Sequence, residues 1–158
     1  MKKIVYSLLV VVLFSGCLKK RSDTCNYDPC FDKAPGTEVQ AIQDYLTAQG
    51  ITNAQEHCSG MFYIIQNQGT GKQPSACSAV DVDYVGMLTD GSVFDQSPHY
   101  QTYLGSVVQG WANGIPLLKE GGTIRLFIPP SFGYGNQPYG PIPANSILIF
   151  DVTLNTVL

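Results

Sequence analysis

The chain has 158 residues, a net charge of −3 and only 13% charged residues. This length fits one compact domain with a modest extension. The low and slightly acidic charge argues against a basic surface for nucleic acid, so we expect no nucleic-acid partner.

The first residues have the pattern of an export signal. Lys2-Lys3 precedes an apolar run from Ile4 to Phe14, which is too short to cross a bilayer core of about 30 Å but suits a secretory signal. The segment Leu13-Phe14-Ser15-Gly16-Cys17 resembles a bacterial lipobox. We therefore expect a lipoprotein signal peptide at 1–16 and a lipid on Cys17, with an ordinary signal peptide or a short anchor as the alternatives.

Residues 17–36 are predicted to be a lipidated tether, because they are rich in Asp, Asn, Pro and Gly and lack apolar periodicity. The basic cluster Lys19-Lys20-Arg21 fits attraction to anionic lipid or plain solvation. These features predict a protein of the bacterial envelope, anchored by lipid to the outer membrane and facing the periplasm.

Four further cysteines remain in an exported chain: Cys25, Cys30, Cys58 and Cys77. An even number predicts two disulfides with three possible connectivities. The sequence favours Cys25 with Cys30 and Cys58 with Cys77, because the first pair is local and the second pair precedes two strands of one domain. A zinc site on these cysteines or on His57 is less favoured, since no CxxC pair or matching His spacing is present.

A helical extension is predicted at 37–59. Thr37 can cap the helix, Gln40 completes a capping-box spacing, and Gly50 closes the segment. An apolar stripe packs this helix against the following domain or a second subunit, so a homodimer through the extension is possible. The stripe consists of Val39, Ile42, Tyr45 and Leu46.

From residue 60 onward the pattern is mainly that of strands. Met61 to Gln66 is a short apolar run, and the next segment alternates between an apolar and a solvated face. A short helix starts near Gly110 and is broken by Pro116. The sum predicts an α+β domain with a twisted antiparallel sheet. The faces are Val80, Val82 and Tyr84 opposite Asp81, Asp83 and Val85, then Ile124, Leu126 and Ile128, then Leu148, Phe150, Val152 and Leu154.

Three motifs follow one another in the last part of the chain. They are Tyr84-Val85-Gly86 with Asp90-Gly91-Ser92-Val93-Phe94-Asp95, then Val107-Val108-Gln109-Gly110-Trp111, then Tyr134-Gly135 with Ile142-Pro143. In this order they resemble the FKBP-type peptidyl-prolyl isomerases. The resemblance implies that residues 60–158 form a curved antiparallel sheet wrapped around one short helix, with an apolar active cavity between them.

The resemblance also implies the site residues. The catalytic set is Tyr84, Phe94, Asp95, Trp111 and Tyr134, and the substrate-binding set is Tyr100, Tyr103, Val107, Val108, Ile142 and Phe150. Trp111, Phe94 and Phe150 would hold the prolyl ring. The Val108 N–H and the Tyr134 phenol would donate hydrogen bonds. Asp95 would face the substrate carbonyl, with a turn-capping role as the alternative.

Two departures from the family pattern bear on this site. The segment Gln96 to Tyr103 is several residues shorter than usual, so the aromatic residue near its end must be Tyr100 or Tyr103. Ala144 stands where a second proline is usual, next to the Gly-, Pro- and Tyr-rich loop from Asn136 to Pro141. Sequence preference for the substrate is therefore expected to differ from that of relatives.

The predicted function is cis-trans isomerisation of Xaa-Pro bonds in unfolded or exported polypeptides, without metal or cofactor. The alternative is a peptide-binding or chaperone module with little turnover. Catalytic Ser-His-Asp or Cys-His arrangements and phosphate-binding loops have no match in the sequence. His99, in the shortened segment, is expected to be an exposed loop residue.

Overall fold

The structure is a computed structural model that describes residues 25–158. The predicted signal peptide, Cys17 and the part of the tether before residue 25 lie outside the described residues. The elements in chain order are α1 (Gly36–Ala48), β1 (Gln55–Glu56), β2 (Phe62–Asn67), β3 (Ala79–Met87), β4 (Val93–Tyr103), α2 (Gln109–Gly114), β5 (Thr123–Ile128) and β6 (Leu148–Val157). Short 3₁₀ turns lie at Leu104–Ser106, Ile115–Leu117 and Pro130–Phe132.

The strands form one antiparallel sheet in the order β1-β2-β5-β6-β3-β4. One face of this sheet, called the concave face here, packs against α2, and its alternate residues make the main core. The predicted α+β architecture is therefore confirmed. The buried residues of this core include Val80, Val82, Trp111, Ile124, Leu126, Ile128, Leu148, Phe150, Val152 and Leu154.

The opposite, convex face carries a second apolar layer beneath α1. Ile42 and Leu46 of the helix are buried with Phe62, Phe127 and Ile149 of the sheet. The apolar stripe of α1 therefore packs on the domain of its own chain. Among residues 25–158, the structure contains no helix that is both long and apolar enough to span a membrane.

The two ends of α1 differ in how well the sequence predicted them. At the C-terminal end, the Ile51 N–H donates to the Leu46 carbonyl at 2.9 Å and the Gly50 N–H donates to the Thr47 carbonyl at 3.0 Å. Gly50 has a φ of 66°, so this is a Schellman cap and the predicted end is confirmed. At the other end Pro35 is the N-cap and no side chain caps the helix. The predicted Thr37 cap is wrong.

The disulfide pairing differs from the one favoured by the sequence. Cys25 pairs with Cys77 and Cys30 pairs with Cys58, with Cα atoms 5.7 and 5.4 Å apart, as disulfides require. Between the first two cysteines, the Asp28 carboxylate accepts a hydrogen bond from the Cys30 N–H. Nearness in sequence therefore did not predict the partner, because each cysteine reaches a different loop of the domain. With all four sulfurs in disulfides, a zinc site on these cysteines is wrong.

The connectivity also changes the account of the predicted tether. Its described part, residues 25–36, is attached to the domain by both disulfides and by a hydrogen bond from the Ala34 N–H to the Ser59 carbonyl at 2.8 Å. Any free tether is thereby confined to residues before 25, which lie outside the described residues.

A polar cluster occupies the convex face of β3. Asp81 was predicted to be solvated but is only 8% exposed. The Gln101 and Asn155 side chains donate hydrogen bonds to its carboxylate, and His99 Nδ1 lies 3.2 Å from it. Asn155 also donates to Asp83. These contacts lower the pKa of Asp81, with the Asn155 bond as the largest cause. The His99 side chain is 76% exposed, as predicted, although it lies in strand β4.

Candidate active site

Aromatic side chains converge on a cavity of about 320 Å³ between α2 and the concave face of the sheet. Trp111 is one of the residues that line it. The Trp111 ring makes edge contacts with Tyr84 and Phe150 at centroid distances of 5.0 and 5.3 Å, and Tyr100 follows at 6.4 Å. The lining residues are Tyr84, Asp95, Tyr100, Ser106, Val107, Val108, Trp111, Tyr134, Tyr139 and Phe150.

Trp111 is placed by the first turn of α2. Its N–H donates to the Val108 carbonyl at 2.9 Å, so the two residues share one helical turn. Gly110 lies directly against Ile128 of β5, where a Cβ would come within 2.5 Å of that side chain. Glycine at this position therefore lets α2 approach the sheet closely enough to bury Trp111, which is 3% exposed.

Tyr84 and Asp95 join two strands at the cavity wall. The Tyr84 hydroxyl donates to Oδ2 of Asp95 at 2.7 Å. Burial raises the pKa of Tyr84, and the hydrogen bond to Asp95 raises it further. The turn-capping role considered for Asp95 is carried by Asp90, whose carboxylate accepts from the Ser92 N–H at 2.9 Å.

Tyr134 lines the same cavity as Asp95 and lies in the loop after the 3₁₀ turn Pro130–Phe132. The Pro130 carbonyl accepts hydrogen bonds from the N–H groups of Gly133 and Gly135, which flank Tyr134. Its ring stacks on Tyr139 with centroids 4.5 Å apart and planes within 7°. Burial raises the pKa of Tyr134, and Tyr139 and Asp95 act in the same direction. The phenol is therefore a neutral hydrogen-bond donor at ordinary pH.

Polar donors around the cavity lack partners within the described part of the chain. The Val108 N–H has no acceptor among these residues, and the buried Trp111 Nε1 has none either. Buried donors normally have partners, because an unpaired donor costs about 1–3 kcal/mol. Of the two, Val108 lines the cavity and is only partly buried, so its N–H is the donor open to a peptide carbonyl.

The predicted site residues are mostly, but not all, at the cavity. Tyr103 is not there: it lies opposite Ala79 in the sheet, whereas Tyr100 lies opposite Val82. Three residues along a strand reverse the face, so Tyr100 faces the cavity and Tyr103, 65% exposed, faces away. The strand register therefore places Tyr100, and not Tyr103, at the cavity as the aromatic residue of the shortened segment.

Two further predicted residues lie behind the cavity wall. Phe94 packs edge-on against Phe150 at 5.4 Å and is not among the lining residues. Ile142 is 3% exposed and belongs to the main core. Phe94 packs against a lining residue and Ile142 belongs to the core, and their direct contact with substrate stays a prediction.

Sequence reasoning missed Ser106 and Tyr139 as lining residues. Ser106 had no signal, because it ends a 3₁₀ turn that the pattern did not predict. Tyr139 lies in the Gly-, Pro- and Tyr-rich loop that was noted for its composition. The Tyr139 N–H and C=O both bond to Ile142, and this tight turn presents the ring to Tyr134.

Comparison with known proteins agrees with this architecture. The family model described as FKBP-type peptidyl-prolyl cis-trans isomerase matches residues 70–155. Among curated proteins, the isomerase FkpA of Aeromonas hydrophila is 38% identical over 120 residues, covering 71% of this chain and 44% of that protein. FkpA of Escherichia coli K12 is 34% identical over 131 residues, covering 80% and 47%. The chain thus spans less than half the length of these relatives.

Solved structures give the same result. A peptidyl-prolyl isomerase from Pseudomonas syringae pv. tomato superposes with a TM-score of 0.68 at 31% identity, over 79% of this chain and 97% of that one. Escherichia coli FkpA gives a TM-score of 0.69 at 32% identity, over 77% and 59%. With its fold, its aromatic cavity and these similarities, the chain belongs to the FKBP-type peptidyl-prolyl cis-trans isomerase family.

Proposed function

We propose that this protein is a peptidyl-prolyl cis-trans isomerase that accelerates Xaa-Pro isomerisation in unfolded polypeptides. The observation that carries the proposal is the aromatic cavity around Trp111, which is also lined by Val108, whose N–H has no acceptor among the described residues. A prolyl ring is apolar and compact, and the peptide around it supplies carbonyl acceptors.

The reaction suits such a cavity. Rotation about a peptide bond meets a barrier of about 18–20 kcal/mol, because resonance gives the C–N bond double-bond character. In Xaa-Pro the two isomers differ by only about 1 kcal/mol. A site that binds the twisted amide better than either planar form lowers the barrier without nucleophile or cofactor.

Each residue has a role in this scheme. Trp111 and Phe150 form the apolar floor for the prolyl ring, with Phe94 supporting Phe150 from behind. The Val108 N–H and the Tyr134 hydroxyl donate to carbonyls beside the rotating bond. The twisted carbonyl loses its resonance polarity, so an apolar wall suits it better than water.

Asp95 has an electrostatic role in the same scheme. Its carboxylate accepts a hydrogen bond of 2.7 Å from the Tyr84 hydroxyl. This bond holds the negative charge of Asp95 beside the rotating amide of the substrate. No proton moves in the reaction, so Asp95 is not a general base.

The setting of the activity is also a proposal. The signal-like N-terminus and the lipobox-like Cys17 support a lipid-anchored protein of the bacterial envelope, at the periplasmic face of the outer membrane. Its clients there would be exported polypeptides that contain proline. In this arrangement residues 60–158 are the isomerase domain and 37–59 the extension. A homodimer through that extension would use surfaces other than Ile42 and Leu46, which are buried against the sheet of the same chain.

The alternative is a chaperone that uses the same cavity with little turnover, favoured by the shortened segment before Tyr103. Refolding of two client proteins separates the two functions, one client limited by a trans-to-cis proline step and one without proline. The isomerase accelerates only the first. Equal effects on both clients, at stoichiometric concentrations only, would favour the chaperone.

A further inference from the structure

The segment before and into α1 contacts the two parts of the chain that carry Tyr134 and Trp111. Residues 25–38, called the N-terminal brace here, lie outside the stretch 70–155 that matches the family model. The brace ends in the first turn of α1 and carries three polar side chains that reach the catalytic domain. They contact the turn before Tyr134 and both ends of α2, which carries Trp111.

The first contact reaches the Tyr134 wall. Oε2 of Glu38 accepts two hydrogen bonds from Ser131, one from the backbone N–H at 3.0 Å and one from Oγ at 2.7 Å. Ser131 lies in the 3₁₀ turn whose Pro130 carbonyl bonds Gly133 and Gly135, on either side of Tyr134. Glu38 therefore fixes the position of the 3₁₀ turn that directly precedes Tyr134.

The other contacts reach the Trp111 wall. Nε2 of Gln109, at the start of α2, donates to Asp32 at 3.1 Å. The Tyr27 hydroxyl donates to Oδ1 of the buried Asn113, near the end of α2, at 2.5 Å. These contacts bracket Trp111 along the helix axis.

The N-terminal brace is attached to the domain by covalent bonds and a backbone hydrogen bond. The Cys25–Cys77 and Cys30–Cys58 disulfides attach it to two loops of the domain, and the Ala34 N–H bonds the Ser59 carbonyl. Loops on the surface are otherwise the mobile part of a fold. A cross-linked segment that bonds both the turn before Tyr134 and helix α2 limits the movement of these two elements relative to each other.

We propose that the N-terminal brace is part of the working site and that Glu38 and Asp32 are positioning residues for Tyr134 and Trp111. The proposal rests on the isomerase function proposed above. A hydrogen-bond donor that is misplaced by a fraction of an ångström binds the twisted amide less well. Loss of a brace contact should therefore reduce catalysis while leaving the fold intact.

The test compares Glu38→Ala with Glu38→Gln in the full-length protein. Glutamine retains a carbonyl oxygen for both Ser131 donors, whereas alanine retains none. The matched control is Asp44→Ala, an exposed acid on the same helix whose side chain bonds only Gln40 among the described residues. Three quantities are measured: kcat/KM for a Leu-Pro peptide, the melting temperature, and the NMR signals of the Tyr134 ring. Asp32→Ala and Asp32→Asn repeat the design at the Trp111 wall, read by fluorescence of the one Trp.

We expect Glu38→Ala to lower kcat/KM about two- to tenfold, as loss of modest hydrogen bonds implies, and to shift the Tyr134 signals. Glu38→Gln should restore both, and the melting temperature should follow that of Asp44→Ala. Equal kcat/KM and unchanged Tyr134 signals in Glu38→Ala and Asp44→Ala would overturn the proposal. If the unmodified protein shows no isomerase activity, the proposed function fails, and the Tyr134 and Trp111 signals alone decide whether the brace positions the walls.

Discussion

The Tyr84 hydroxyl donates a hydrogen bond of 2.7 Å to Oδ2 of Asp95 and so connects β3 to β4 at the cavity wall. The carboxylate itself is exposed, and Tyr84 is the side chain that orients it. This relationship makes Tyr84 a positioning residue for the charge of Asp95 as well as a lining residue.

Removing the charge of Asp95 should therefore slow catalysis more than it affects folding. We expect Asp95→Asn to lower kcat/KM about three- to tenfold, because a preorganised charge near the reacting amide is lost. Asp90→Asn is the matched control, since it removes the same charge five residues earlier, where Asp90 serves the Ser92 turn. A peptide isomerisation assay on both variants checks the expectation. Equal rates for the two variants would contradict it.

Tyr84 also predicts a feature of alkaline stability. Its pKa is raised in the folded protein, first by burial and then by Asp95, whereas an unfolded tyrosine ionises near about pH 10. The neutral Tyr84 phenol therefore contributes to the free energy of unfolding. This contribution is fully present below about pH 10 and is lost as the pH rises toward the pKa of the folded state. Tyr84→Phe should therefore make the loss of unfolding free energy above pH 10 less steep, as measured by urea unfolding from pH 8 to 11. The same slope in Tyr84→Phe and in the unmodified protein would contradict this expectation.

The stacked pair of Tyr134 and Tyr139 predicts a contribution to substrate binding. Removing one ring by Tyr139→Ala should weaken peptide binding about two- to tenfold, in line with the energy of aromatic pairs. Tyr103→Ala removes an exposed tyrosine on the opposite face and should have no effect. Titration of the Trp111 fluorescence with a Leu-Pro peptide measures both. A larger loss of peptide binding in Tyr103→Ala than in Tyr139→Ala would place the substrate on the face of the sheet away from the cavity and contradict this account.

The disulfides predict how the brace depends on oxidation. Changing Cys30 and Cys58 to serine should lower the free energy of unfolding by about 2–4 kcal/mol, because the unfolded chain gains freedom. Urea unfolding of this variant against the unmodified protein measures the loss. Peptide mapping of the unmodified protein without reduction should recover a Cys25–Cys77 pair. Recovery of Cys25 joined to Cys30 would contradict the connectivity.

The sequence predicted the fold well because its signals are local and periodic. Alternation placed Val80, Val82 and Tyr84 on one face, and the stripe containing Ile42 and Leu46 gave α1 its packing side. These patterns need no knowledge of distant neighbours, since burial repeats with the period of each element.

The errors arose where a distant partner decided the outcome. Cys25 pairs across 52 residues, although a cysteine five positions away was the local choice. Asp81 is buried by Asn155, which lies 74 positions later. The side chains near the start of α1 do not cap that helix. Instead Glu38 bonds Ser131, 93 positions away. Local pattern carries no information on such partners.

At the site, the motifs predicted most lining residues, and the register of β4 decided the rest. Tyr100 and Tyr103 are equivalent by composition, and only their pairing opposite Val82 and Ala79 separates them. Phe94 and Ile142 lie in motifs of the site yet are not among the residues that line the cavity.

The central claim is that the Trp111 cavity lowers the barrier to Xaa-Pro rotation. The most direct measurement is the cis-trans exchange rate of a Leu-Pro peptide by NMR, with the unmodified protein, Trp111→Leu and Tyr134→Phe, and with Tyr103→Phe as control. The account predicts exchange far above the uncatalysed rate of once in tens of seconds or slower, retained in the control and reduced in the two cavity variants. Exchange at the uncatalysed rate with a folded unmodified protein, or equal exchange in all four proteins, would contradict it.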